Sequence, residues 1–284
     1  MANQSYNIKD VYSVFNKIDG EFGEKADKSE FANGSITRYC PHHKDSDGYG
    51  YCLSYLEMAR SGVINLLENL KDKNGLEYDK LAEYAILFLS YKLNQHSYHK
   101  WTNLNNFYTN HIEKNNDYNK KIKDNGSPTY KEIIDKKKDL MNMNIKERSK
   151  FNVLFSILFS FYNEIKKNNK DCTNLSQKAN EFVQNFEKLN DDSNINGNAS
   201  YSKLLFTLSD DYDNLKNKCP NFPPLPKVKT PPSTLIPGLS VVSVIPVFLG
   251  IAYKYSLFGV DKLFQRQYIR KKLKKITKKL KLNI

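Results

Sequence analysis

The sequence predicts an all-α protein: a multi-helix extracytosolic bundle, a Pro-rich stalk, a single transmembrane helix and a basic amphipathic cytosolic tail. Three observations predict it. Apolar residues recur at helical spacing through residues 1–219, and alternation of the strand type never persists. Seven of the ten prolines fall within 220–237. Residues 235–253, LIPGLSVVSVIPVFLGIAY, carry no charge, and a strongly basic end follows them.

In the bundle, Val11, Phe15 and Ile18 share one face of a short first helix. A loop rich in Gly, Ser and Asp runs through Cys40 to about Tyr51. A second helix over 53–70 carries Leu53, Leu56, Val63, Ile64, Leu67 and Leu70 on its apolar face. The third, over 78–93, is apolar nearly all round and belongs at the centre of the bundle. Residues 151–163, FNVLFSILFSFYN, are uncharged but too short to cross a bilayer, so 147–166 is a second core helix. Weaker helices are expected over 101–118 and 130–141, parted by a turn at Gly126, Ser127 and Pro128. Two more are expected over 175–189 and 201–218, with a polar loop between them. Asp210, Asp211 and Asp213 on the last one look like ordinary surface.

After the bundle, residues 220–234 form the stalk, since proline removes a backbone donor and favours extended chain. The nineteen residues of 235–253, at about 1.5 Å each, span roughly 28 Å, close to the hydrocarbon thickness of a bilayer. Residues 254–284 hold eleven cations, beginning at Lys254 and opposed only by Asp261. Such a flank keeps the tail cytosolic and places the bundle across the membrane. Lys262, Arg266, Arg270, Lys271, Lys272, Lys274, Lys275, Lys278, Lys279 and Lys281 lie between Phe264, Ile269, Leu273, Ile276 and Leu280. This amphipathic pattern suits a membrane surface, with anionic lipids as the tail's partner; an acidic protein is the other reading. The N-terminus shows no apolar segment of signal-peptide type, which fits translocation awkwardly.

Charge excludes one function class. Of the formal +13, +10 belongs to 254–284, which leaves +3 on the remaining 253 residues. The folded body therefore lacks the basic face of a nucleic-acid binder, and no nucleic-acid partner is expected. Lysine outnumbers arginine 39 to 5 and asparagine occurs 33 times, a bias of A/T-rich codons to which no individual role attaches.

The four cysteines, Cys40, Cys52, Cys172 and Cys219, all lie in the part expected to be translocated. An even count there favours two disulfides, of which three connectivities are open. The sequence-local pairs Cys40–Cys52 and Cys172–Cys219 are preferred, each closure contributing on the order of 3–4 kcal/mol; reduced buried thiols are the alternative. Cys40, His42, His43 and Cys52 do not have the spacing of a zinc finger or ribbon. His96 and His99 form an i, i+3 pair without a nearby acidic partner in sequence, and are expected in a solvated turn. No nucleophile elbow, phosphate loop, zinc-protease motif or paired-acid motif occurs, so neither an enzyme nor a cofactor is expected.

Three passages resemble a known family. They are VYSVFNKID at 11–19 with Cys40-Pro41 and Cys52, YAILFLSYKLNQ at 84–95 ahead of Trp101, and IAYKYSLFGVDKLFQRQYIRKKLKKI at 251–276. Together they resemble the Plasmodium interspersed repeat (PIR) superfamily, most closely its rodent-malaria branch of Cir/Bir/Yir type variant antigens. The resemblance implies a mostly helical single-pass protein exported to the infected red cell without a cleaved leader. It also implies antigenic variation, immune evasion or adhesion, with an unidentified host protein or cell-surface ligand as partner, and no catalytic residues. An internal membrane scaffold or trafficking component of the infected cell is the alternative.

Overall fold

The computed structural model describes residues 6–167 and 172–230. The expected span at 235–253 and the tail at 254–284 lie outside the described residues. Among the described residues no helix is long and apolar enough to cross a membrane.

The order of the main elements is α1 (Ile8–Asp19), β1 (Phe22–Glu24), β2 (Glu30–Ala32), α2 (Tyr55–Leu70), α3 (Tyr78–Gln95), α4 (Leu104–Phe107), α5 (Tyr130–Asp135), α6 (Ile145–Lys167), α7 (Ser176–Asn190), α8 (Ser193–Asn196) and α9 (Ala199–Lys216). Helix α3 is central, as its sequence requires: every residue from Leu81 to Leu93 is buried. It packs on α2, α5 and α6, and α6 in turn packs on α1, α7 and α9. Aromatic rings fill the seam between these layers. Phe15 of α1 stacks on Phe88 of α3 at 5.6 Å, and Tyr12 stacks on Tyr162 of α6 at 4.0 Å.

Many of the asparagines have work after all. Asn7, Asn103 and Asn198 cap α1, α4 and α9 with their side-chain oxygens, and Asn115 caps a 3-10 turn at Asn116–Asn119. Asn144 accepts from Glu147 N while Glu147 reaches back to Asn144 N, closing the start of α6. The same chemistry breaks the helix expected over 101–118. Asn103 and Asn115 offer the backbone local acceptors, and the segment becomes short α, π and 3-10 turns. The helix expected over 130–141 likewise stops at Asp135 and resumes as a 3-10 turn, Lys138–Asn142.

Two further corrections concern the loop and the acidic run. Part of the expected loop is a hairpin in which Phe22 pairs with Ala32 and Glu24 with Glu30, its turn carried by Lys28 at φ 64°. Asp211 is not surface: it is fully buried, where Tyr12 and Tyr84 donate to its two carboxylate oxygens at 3.0 and 2.7 Å. Tyr162 donates to its backbone oxygen and Tyr6 meets Tyr84, so α1, α3, α6 and α9 share one polar junction.

Both preferred disulfides are formed, Cys40–Cys52 and Cys172–Cys219. The second joins the chain just before α7 to the end of α9. Residues 220–234 were expected as a stalk; 220–230 instead lie against the domain, and 231–234 lie outside the described residues. Phe222 is buried against Phe161 and Tyr212, and Tyr212 donates to Pro223 O at 2.9 Å. Asn190 brackets the strap as a strand neighbour would, donating to Lys227 O at 2.9 Å and accepting from Lys229 N at 2.7 Å. The compact unit accordingly runs to Pro231. Asn190→Ala is expected to cost about 1–2 kcal/mol, because it leaves two strap groups and a nearly buried site unpaired. Limited proteolysis within 220–230 reads it: cleavage should quicken in the variant, and unchanged protection would show that Phe222, Tyr212 and their neighbours hold the strap without Asn190.

Candidate functional site

The described unit has two poles, set by α3. Its eighteen residues, at about 1.5 Å each, separate its ends by roughly 27 Å. At the N-terminal end, Glu77 and Lys80 share an open groove of about 840 Å³ with Phe206, Leu225, Val228 and Thr230. The strap thus leaves the unit beside the start of α3. At the other end lie the residues that follow α3, the residues that precede α2, and the β1–β2 hairpin.

This far end exposes the apolar side chains that a fold normally covers. Tyr51, Leu53, Tyr98 and Trp101 are 67, 70, 70 and 65% exposed. At the other pole Phe206 is 59% exposed. Lys28 sits over the Tyr98 ring at 5.8 Å and Lys100 over the Trp101 ring at 5.4 Å.

The platform beneath is rigid. Glu24 of β1 accepts from the backbone N–H and hydroxyl of Ser97, at 2.8 and 2.5 Å. These bonds hold its carboxyl below the usual range. Arg148 of α6 is buried and donates to the carbonyls of Lys100 and Thr102, so the peptide that leads into Trp101 and the one that follows Thr102 are fixed. Burial lowers its pKa, since it has no carboxylate partner among the described residues. Tyr55, at the start of α2, lies 4.2 Å from the His96 ring and 5.8 Å from the His99 ring, and donates to Lys92 O.

His96 corrects the expectation of a solvated turn: it is 3% exposed and within 3.0 Å of Glu30 Oε1. Glu30, His96 and His99 bring one ligand atom each within 4.8 Å, the only such group among the described residues. The hydrogen bonds argue against a metal. His96 Nδ1 accepts from the N–H of Tyr98 and of His99, which puts the proton on Nε2, facing Glu30. A metal on Nε2 would force a proton onto Nδ1, against two donors. The trio is better described as a structural clasp between the hairpin and the loop after α3. His99, whose pKa burial lowers, completes it as a stacking partner.

The Cys40–Cys52 bond removes both sulfurs from any zinc reading; His42 turns instead to Glu57 at 3.0 Å. Of the residues named from sequence, the four cysteines are brought into pairs, and the ten tail cations lie outside the described residues. The far-end aromatics were not picked out as a site, because exposure of an isolated Tyr or Trp leaves no mark in a sequence.

Comparison with known proteins places the chain. No curated protein matches it. A solved structure described as a Plasmodium PIR protein ectodomain matches with a TM-score of 0.60 at 36% identity, covering 78% of this chain and 99% of that one. The family model for Plasmodium variant antigen protein Cir/Yir/Bir matches residues 9–254. With the helical fold and both disulfides as context, the chain belongs to the Plasmodium Cir/Yir/Bir variant antigen family.

Proposed function

We propose that this family member is an exported, single-pass antigen that displays its helical domain from the infected red cell to host ligands or antibodies. In this reading 235–253 spans the bilayer and the basic tail lies on anionic lipid at the cytosolic face. Family membership is the observation that carries it. The fold adds support: a unit that ends at Pro231, closed by two disulfides, suits an oxidising, extracytosolic setting. That unit buries its own core, and its solved relative is an ectodomain, so residues 1–231 form a fragment suited to study alone. A fragment cut at 219 would strip Phe222 and the strap from Tyr212 and Asn190.

Protease treatment of intact infected cells tests display. Loss of the domain with survival of a protected fragment holding 235–284 is the expected result. Full protection of the domain would overturn surface display and favour an internal membrane.

A further inference from the structure

The groove at the N-terminal end of α3 is lined by Phe206 of α9 and by Leu225 and Val228 of the strap. Phe206 is 59% exposed, and the two strap residues are half-buried. The polar groups beneath are already satisfied by one another. Thr207 donates to Glu83 at 2.6 Å and accepts from Lys80 at 2.8 Å, and Lys137 pairs with Glu83 at 2.7 Å. The charged lining has no dominant sign: Glu77, Asp79, Glu83 and Asp213 stand beside Lys80, Lys203 and Lys227. Charge therefore does not choose the occupant.

Position does. Thr230 itself lines the groove, and residues 231–234 alone separate it from Leu235, where the uncharged run begins. Five fully extended steps cover at most about 17 Å. Of that reach, roughly 5–7 Å lies within the headgroup layer of one leaflet. On the order of 10 Å of water is then left between the headgroups and Thr230. A compact unit of this length has a radius of gyration of about 17 Å. A tether shorter than that cannot turn the far end of α3 to the lipid in place of the groove. Nor does a folded partner fit beneath: even a 100-residue domain has a radius of gyration of about 13 Å. Lipid is the one apolar material within reach. The tether also holds it there at high effective concentration, so a small apolar contact suffices.

We infer that this groove is a membrane-contact site, in which Phe206, with Leu225 and Val228 behind it, enters the headgroup–acyl boundary of the leaflet beside the span. The inference rests on the reading of 235–253 as a single span. Its lipid is a zwitterionic phospholipid, whose headgroup carries both signs, as the lining does. Lys203 and Lys227 lie along the surface with their ammonium groups in water, as long cations do at an interface. The far-end pole is left facing away from the membrane.

The single tryptophan of the chain, Trp101, lies at that far pole and serves as an internal control. The full chain is reconstituted into phosphatidylcholine vesicles, either ordinary or brominated near the headgroup end of the acyl chains. Bromine quenches indole fluorescence only at short range. In the unsubstituted chain, Trp101 should be equally bright in both vesicles. In the double variant Trp101→Phe, Phe206→Trp, the groove indole should lose a large part of its fluorescence in the brominated vesicles. Both side chains are exposed, and circular dichroism checks the fold. Quenching at the groove no greater than that of Trp101 overturns the inference.

A second arm inserts about 20 Gly/Ser residues after Pro231, whose root-mean-square length is roughly 25 Å. Quenching that persists shows that the groove itself holds lipid. Quenching that vanishes shows proximity without a site, and overturns the inference. Cross-linking of neighbouring chains through Phe206→Cys, in place of quenching, would assign the groove to a second copy and overturn the lipid. Failure of the single-pass reading is separately visible. A chain that alkaline carbonate strips from the vesicles sinks that reading and the inference with it; an anchored chain without quenching sinks the inference alone.

Discussion

Replacing Asp211 by alanine is expected to cost the domain about 3–5 kcal/mol, while asparagine should cost far less. The carboxylate is fully buried and joins α9 to Tyr12 of α1 and Tyr84 of α3. Alanine leaves a cavity and removes the partner of the Tyr12 hydroxyl, whereas Tyr84 keeps Tyr6. Asparagine retains an acceptor, and its amide can meet a rotated phenol. Burial pushes the Asp211 carboxyl up to about 7; Lys80 and the two phenols pull the other way and Asp210 adds to the rise. The fold therefore holds this proton more tightly than the unfolded chain does, whose carboxyl titrates near 4. Its contribution is fully present below about pH 4 and is lost as pH rises through about 7. Between pH 5 and 7 the loss amounts to about 2 kcal/mol. Denaturant unfolding of wild type and Asp211→Asn at both pH values reads it as a difference. Identical pH dependence in the two proteins would mean that Asp211 stays ionised, held by its phenols.

The burial of Asp211 was legible, though composition hid it. Leu204, Leu208, Asp211 and Leu215 follow the i, i+4, i+7, i+11 rule, so the carboxylate stands on the apolar stripe of α9. Lys92 follows Tyr84 and Phe88 at the same spacing on α3. A charge on an apolar stripe signals a buried partner elsewhere, but the partner's identity depends on packing that lies far away in sequence. The strap was legible in the same manner. Phe222, Leu225 and Val228 recur every third residue, the period of polyproline II, so one face of the Pro-rich segment is apolar and seeks a surface. The long helices α2, α3 and α6 follow from periodicity, and the two disulfides are the sequence-local pairing preferred among the three that cysteine count left open. The hairpin was hidden because three-residue strands cannot show alternation, and Lys28 is an unusual residue for a left-handed turn position. The far-end site was hidden for a different reason. What distinguishes Trp101 and Tyr98 is the absence of covering neighbours, a property of the whole fold.

Lys92→Met is expected to destabilise the domain by about 3–4 kcal/mol and to loosen the hairpin and the loop after α3 with it. Lys92 is 2% exposed, and its ammonium donates to Asp19 Oδ1 at 2.7 Å, Phe22 O at 2.8 Å and Asp19 O at 3.2 Å. It also lies 4.2 Å from the Phe22 ring. Burial lowers its pKa and Asp19 opposes that. Methionine keeps the packing of the stem but leaves a buried carbonyl and a carboxylate without their donor. Those acceptors sit where α1 enters the hairpin, and the hairpin carries Glu24 and Glu30, which hold Ser97 and His96 beneath Tyr98. Loss of the lysine should therefore raise amide exchange across residues 20–32 and 96–102 more than in α7 or α9. Arginine should not rescue it, since a planar fork cannot replace a point donor among three closely set oxygens. Uniform acceleration of exchange throughout the domain would show that Lys92 supports global stability only. Exchange confined to the hairpin and the loop after α3, at unchanged far-ultraviolet dichroism, would tie this buried cation to the order of the segment that carries Tyr98 and Trp101.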